Sequence, residues 1–392
     1  MWEWISLLSM VCASGACIGC VYLVISLLAV ITFPTKPSPY PALGEPVSIL
    51  KPLHGDEPGL AERLLSYFEQ NYHGAVQMIC GVREDTDAAL DHVRYLRKAK
   101  GASVETVVNA MEHGPNRKIS NLVNIVDQAR HEILIVSDSD IEVDIDYLSR
   151  VTSHLHESKI GCVSCLYHGV ASGGVWSDFE ALAINSHFLP DMIFAVTFDL
   201  AKPCCGSTIA IRRGTLQTIG GFERYGKHLA DDYEVGRSIR LAGYEVVIPG
   251  FTVKHHCFAN SFRSVLSKEL RAARTVRCID PVGYAGAFIT HPFPLALVGM
   301  IAYGPNALAL AACALGLRAL LCIAIQRSFS LPRQRYGLLP FSEVFSCIAY
   351  WASFGATRIH WRGIAFKVTA EGELKPVARQ KGKKEDLDRG CF

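Results

Sequence analysis

Glu132–Asp140, EILIVSDSD, decides the fold class of this 392-residue chain. Ile133, Leu134, Ile135 and Val136 form a short apolar run of the kind found in a parallel strand buried on both faces. The run breaks into Ser137, Asp138, Ser139 and Asp140. Unpaired carboxylates do not stay in an apolar core, so the strand surfaces there. Ligands of open α/β sheets sit at the carboxyl ends of strands. Asp138 and Asp140, at D-x-D spacing, suit a hard divalent cation carried on a diphosphate. Taken alone, the pattern fits a polar strand end or an Asx turn equally well.

Upstream, strands are expected at Val47–Leu50, Val76–Val82 and Ser103–Val108. Between them lie helical patterns at Gly59–Gln70, Ala88–Lys98 and Lys118–Ala129. In the last of these, Ile119, Leu122, Val123 and Val126 follow i, i+3, i+4, i+7 spacing. Alternating strands and helices predict an α/β fold, with a mostly parallel sheet and helices on both faces. Beyond Tyr147 the alternation weakens. Extended segments are expected at Ile160–Tyr167, Ser207–Ile211 and Glu245–Ile248, and helices at Trp176–His187, Asp231–Leu241 and Ser261–Arg277.

The two ends read differently. Half of the residues are hydrophobic and the mean hydropathy is +0.21, rich for a water-soluble chain. Ile5–Phe33 carries no charge and suffices to span a bilayer. Pro281–Leu317 also lacks Asp, Glu, Lys and Arg. With Ala319–Ile325 it allows two spans, broken at Gly304–Pro305. Tyr336–Thr357 is a third apolar stretch, interrupted by Glu343, and reads as a span or an interfacial helix. The expected divisions are a membrane anchor at 1–34, a Pro-rich linker at 35–46, a globular domain at 47–280, a membrane region of two or three helices at 281–357 and a charged tail at 358–392. A net charge of +2 gives no reason to expect nucleic acid. The 14 cysteines show no zinc-finger spacing, and several lie in apolar segments, which suits a reduced, cytosol-facing domain.

Further carboxylates stand at element ends. Glu84, Asp85 and Asp87 follow the second expected strand, where they either cap a helix or meet a ribose or base. Asp231 and Asp232 open a helix. Capping explains one, and the other is free to act as a general base. Arg271, Arg274 and Arg277 share one helical face, suited to a diphosphate or to anionic lipid head groups. Arg117 and Lys118 are candidates for phosphate contact, although solvated residues at a helix start are commoner. Cys204 and Cys205 precede Gly206, which suggests a tight turn near ligand. His187 is by default a structural histidine. No G-x-S-x-G, H-E-x-x-H or Walker A pattern occurs, so hydrolase and NTPase readings lack their usual support.

In series, KPLHGDEPGL, VREDTDAA, NRKISNL, SDSD, CCGSTIAIRR, ADDYEVG and RAAR resemble the ceramide glucosyltransferase family over roughly residues 45–280. Thr275 stands where that family carries Trp, and RTVR resembles the bacterial branch associated with hopanoid biosynthesis. The resemblance implies a GT-A (Rossmann-like) nucleotide-sugar-binding domain with N-terminal and C-terminal transmembrane helices. It implies a multi-pass protein of a bacterial inner membrane, with its catalytic domain cytosolic. Carried over by motif, Asp87, with Asp85 as the alternative, contacts the UDP part of a UDP-sugar. Asp138 and Asp140 hold Mg or Mn, and Asp232 is the catalytic base. Arg117, Lys118, Arg271 and Arg274 serve the donor. His187, Cys205, Gly206 and Asp231 lie toward the acceptor, a membrane lipid. The activity implied is inverting transfer of glucose or N-acetylglucosamine to a hydroxyl of a ceramide-like or hopanoid lipid. A processive polysaccharide synthase and a non-catalytic lipid-binding scaffold are the alternatives.

Overall fold

The computed structural model describes residues 2–33, 44–100, 103–355, 358–361, 364–369 and 372–377. The chain forms two compact units: Met1–Phe33 with His168–Ala201 and Cys257–His360, and Pro34–Tyr167 with Lys202–His256 and Trp361–Phe392. Most of the linker expected at 35–46 lies outside the described residues, as does the charged stretch 379–389.

The second unit is the expected α/β domain. Seven strands make its main sheet: β1 Val47–Pro52, β2 Val76–Val82, β3 Val104–Val108, β4 Ile133–Val136, β5 Ile160–Ser164, β6 Ile209–Arg212 and β7 Glu245–Val247. Their order is β3-β2-β1-β4-β6-β5-β7. β1 pairs parallel with both β2 and β4, placing Leu50 opposite Val136. β6 runs antiparallel to β4 and β5. The chain builds outward from β1 to β2 and β3 on one side, then crosses to β4 on the other. β1 and β4 therefore flank a topological switch point, whose crevice opens at their carboxyl ends.

Both faces of the sheet are buried, which accounts for uninterrupted apolar strands rather than alternation. Ile133 and Ile135 join one core with Val47, Ile49, Leu64 and Val93. Leu134 and Val136 join the other with Leu50, Ile119, Leu122 and Ile239. The helices Leu60–Ser66, Ala89–Lys100 and Tyr147–His154 cover the first face, and Arg117–Val126 and Asp231–Leu241 cover the second.

The first unit is helical. Trp2–Thr32 and Ala307–Ser328 are long and apolar enough to cross a membrane. Pro281–Thr290 and Pro292–Tyr303 form a third candidate, bent by 65°. Pro292, which lacks an N–H, sits at that bend. Small residues permit close helix contact, as expected where lipid removes the hydrophobic drive. A Cβ on Gly19 would stand 2.4 Å from the Ile289 carbonyl oxygen, and one on Gly299 3.1 Å from the Ala13 Cβ. The Ser9 hydroxyl donates across the same contact to the Val298 carbonyl at 3.0 Å. Helices separate at Gly304–Pro305 as expected, and Gly304 takes φ 55 there. The third apolar stretch forms the helix Leu339–Gly355.

Two divisions expected from sequence differ from the structure. Residues 168–201 and 257–280, expected in a continuous 47–280 domain, cluster with the helical unit. Their helices carry apolar side chains that pack there: Phe179 and Val265 share a core with Phe345. Part of the tail expected at 358–392 is ordered strand. Ile364–Val368 pairs antiparallel with Leu374–Pro376. Phe366 and Leu374 are buried, and the Leu374 N–H donates to the Lys227 carbonyl at 2.7 Å. The alternation in IAFKV carries that signal, and the Lys/Arg-rich residues beyond it mask it in a compositional reading.

Candidate active site

Asp138 leaves the end of β4 and meets Lys118, whose Nζ lies 2.6 Å from Asp138 Oδ1. Lys118 is the second residue of the helix Arg117–Val126. Asn116 caps that helix, its side chain accepting from the Ile119 N–H at 3.1 Å. The same amide donates to Asp231 Oδ1 at 3.0 Å, while Asp231 Oδ2 stands 3.9 Å from Lys118 Nζ. One cap thus ties together two helix starts that are distant in sequence, Arg117–Val126 and Asp231–Leu241.

Asp232 closes the group. Its Oδ2 accepts from the Gly206 N–H at 2.8 Å and its Oδ1 from the Tyr233 N–H at 2.8 Å. Gly206 is set in place by Cys205, whose N–H donates to Ser164 Oγ on β5 at 2.7 Å. A Cβ on Gly206 would lie 2.8 Å from Lys118 Nζ, 3.2 Å from Asp138 Oδ2 and 3.4 Å from Asp232 Oδ2. The glycine therefore leaves open a small cradle rimmed by one ammonium and two carboxylate oxygens. Gly206→Ala is expected to lower turnover by about a hundredfold, because a methyl displaces groups that must be held within a fraction of an ångström. Steady-state kinetics with a thermal melt measures it, and unchanged turnover would show the cradle to be unused.

Electrostatics follow from burial. Burial raises the Asp232 carboxyl, neighbouring Asp231 raises it further, and Lys118 pulls it back, leaving it at about 6. Burial opposes the charge on Lys118, but Asp138, Asp231 and Asp232 outweigh it and hold the ammonium above its ordinary range. Asp140 faces His255, with Nδ1 at 3.5 Å from Oδ1. Burial works against its charge, yet His255, Arg63 and Lys51 keep it ionised well below the ordinary carboxylate range. Burial pushes the Asp138 carboxyl up, and Lys118 beside it pulls back; Asp138, Asp140 and Asp232 nonetheless present hard oxygen atoms. The donor set fits a hard divalent cation.

Of the three acids after β2, Asp87 is built into the crevice, and Glu84 and Asp85 are exposed. Asp87 Oδ1 accepts from the Gly55 N–H at 2.8 Å and the Ala89 N–H at 3.0 Å, and Oδ2 lies 3.3 Å from His54 Nδ1. This joins the loop after β1 to the helix after β2. Arg117 lines a neighbouring pocket with His54, Arg83, Asn109 and Asn121. Asp87, Arg117, Lys118, Asp138, Asp231, Asp232, Cys205 and Gly206 all belong to the α/β unit, whereas His187, Arg271 and Arg274 belong to the helical unit. Arg271 and Arg274 ride on the helix Phe262–Ile279, where Arg277 lies 5.5 Å over the Phe354 ring.

Sequence reasoning passed over Lys51 and Asn116. Lys51 is fully buried; its Nζ donates to the Asp138 carbonyl at 2.9 Å and sits 4.0 Å over the Tyr67 ring. Burial pushes its ammonium down to about 7. A lysine inside the apolar run VSILKP was the available signal, because a strand does not bury a charge without a partner.

Comparison with known proteins follows the same lines. The family model described as Glycosyl transferase family 21 matches residues 11–374. Ceramide glucosyltransferase 1 of Caenorhabditis elegans is 25% identical over 205 residues, 52% of this chain and 43% of that protein. Ceramide glucosyltransferase 3 of the same organism is 25% identical over 227 residues, 57% of this chain and 49% of that protein. The chain thus spans about half the length of the curated relatives it matches. A solved mannosyltransferase, PcManGT from Pyrobaculum calidifontis in complex with GDP-Man and Mn2+, superimposes with a TM-score of 0.55 at 18% identity, covering 89% of this chain and 98% of that one. That likeness concerns the fold, which is GT-A.

Proposed function

The chain belongs to glycosyl transferase family 21, and on that premise we propose that it moves a hexose from a UDP-sugar to a hydroxyl of a membrane lipid with inversion at the anomeric carbon. The observation that carries the reading is the meeting of Asp138, Lys118, Asp231 and Asp232 around the Gly206 cradle. Asp232 is the base. It takes the proton of the acceptor hydroxyl as that oxygen attacks the anomeric carbon from the face opposite the diphosphate. The Gly206 and Tyr233 amides fix its carboxylate for that task. Lys118 offsets phosphate charge on the departing UDP. Asp87 orders the nucleoside side of the crevice. Asp138 and Asp140 would hold a divalent cation, Mg2+ or Mn2+, which would supply positive charge to the diphosphate.

The lipid acceptor is supported by the helices long and apolar enough to cross a bilayer and by the likeness to two ceramide glucosyltransferases. The active site faces the cytosol, where UDP-sugars are found. Either glucose or N-acetylglucosamine suits the donor role. The deciding experiment incubates the full chain in lipid nanodiscs with each UDP-sugar, Mn2+ and candidate lipids, then identifies the product and its anomeric configuration by mass spectrometry and NMR. A single sugar on lipid, inverted relative to the donor, is expected. A long polymer, a retained configuration or no metal-dependent binding of UDP overturns the reading.

The base carries a pH signature. Only ionised Asp232 accepts a proton, so kcat/KM is expected to fall about tenfold per pH unit below about 6 and to level off above about 7. A profile between pH 5 and 8 that stays flat through 6 would exclude Asp232 as the base.

A further inference from the structure

We propose that a buried polar cluster inside the helical unit binds the neutral, hydroxyl-bearing headgroup of the acceptor, an inference that rests on the glycolipid reading above. Glu343, on the helix Leu339–Gly355, and Arg318, on the apolar helix Asn306–Ser328, are both 0% exposed. Glu343 Oε1 lies 2.9 Å from Arg318 Nε and 2.8 Å from His187 Nε2. The remaining guanidinium nitrogens are committed to backbone: Nη1 donates to the Ser186 carbonyl at 2.8 Å and Nη2 to the Thr290 carbonyl at 2.5 Å. His291 completes the group, its ring centre 5.4 Å from that of His187 and 5.6 Å from that of Tyr350.

Ionisable residues on membrane helices are costly and mark functional positions. This cluster also has unfinished valences. Among the described residues, Glu343 Oε2, His187 Nδ1 and His291 Nδ1 are buried without a hydrogen-bond partner. So is the hydroxyl of Ser346, one turn along from Glu343 on the same helix face. Native proteins pair nearly all such atoms, since an orphan in low dielectric forfeits its hydration without a replacement bond. His187 sits in the π-turn Ile184–Phe188, a local irregularity frequent at functional sites.

The free atoms define the ligand. A carboxylate oxygen asks for a donor, a hydroxyl or an amide N–H. The imidazole nitrogens accept or donate to a second polar atom. A phosphate is disfavoured, because the carboxylate repels it and the nearby guanidinium is already spent. The fit is therefore an uncharged amphiphile with two neighbouring polar groups on its headgroup, such as an amide beside a hydroxyl or a vicinal diol.

The test uses the full chain in nanodiscs and two readouts. The first is kinetics of His291→Phe, which keeps a ring against Tyr350, beside Glu343→Gln. The acceptor KM is expected to rise about tenfold and the donor KM to stay within about twofold, as loss of one buried hydrogen bond predicts. The second does not depend on turnover. A ceramide carrying a photoreactive diazirine near its headgroup is expected to label peptides containing His187 or Glu343. Excess unlabelled ceramide should suppress that labelling, and phosphatidylglycerol should not. An unchanged acceptor KM in folded His291→Phe, labelling elsewhere, or suppression by phosphatidylglycerol overturns the site and leaves ordered water as its occupant. If wild-type protein makes no glycolipid yet labels here, the reaction assignment fails and the binding site stands.

Discussion

Asp232→Asn is expected to cut turnover by about 10³–10⁴-fold while leaving UDP-sugar affinity within about twofold. The amide is isosteric, and its single oxygen still accepts from one of the Gly206 and Tyr233 N–H groups that hold Asp232 at 2.8 Å, while its NH2 forfeits the other bond. What it lacks is a basic oxygen for the acceptor proton. Removing the carboxylate also relieves burial of a charge and like-charge repulsion with Asp231, the two causes that raise the Asp232 carboxyl, which offsets the lost bond. Isothermal titration with UDP and single-turnover product formation separate the two effects. Near-normal turnover refutes the base assignment, and loss of UDP binding moves Asp232 to a donor-holding role.

Asp138→Asn is expected to lower turnover by at least about a hundredfold and to weaken metal-dependent UDP binding with it. Two causes act together. The variant loses a charged ligand oxygen for the cation, and it strips Lys118 of its nearest counter-charge, 2.6 Å away. Lys118 still faces Asp231 at 3.9 Å and Asp232 nearby, so the ammonium stays charged. The distinguishing measurement is UDP affinity at increasing Mn2+ concentration. The wild type should gain affinity with metal and the variant should not. An equal gain in both would remove Asp138 from the cation site.

The contrast between these two aspartates shows what was legible in the chain. Asp138 announced itself: an apolar run of four residues that stops at a carboxylate marks a strand surfacing at its carboxyl end. Asp232 was legible as an acid beyond the needs of a helix start. The apolar ends were equally plain, because span length and absence of charge are local properties. Less legible were groups whose role depends on a distant partner. Lys51 falls just past the expected strand Val47–Leu50 and lies buried beneath Asp138. Glu343 looked like an interruption in an apolar stretch, and Arg318 was simply a charge between two apolar segments. Each is the other's partner. Residues 168–201 and 257–280 read as part of a continuous domain because their helical periodicity says nothing about which neighbours they bury against.

By itself, the amino-acid order determined a doubly covered α/β sheet, the acids at its strand and helix ends, and the apolar helices at either end. Those properties follow from alternation of side chains, from charge and from length, all of which act over a few residues. Tertiary structure alone decided that Lys118 stands between Asp138 and Asp231, that Gly206 leaves the cradle beside Asp232 open, and that His187 turns to Glu343. Each depends on backbone segments many residues apart approaching within a few ångströms, and the packing of whole elements controls such distances.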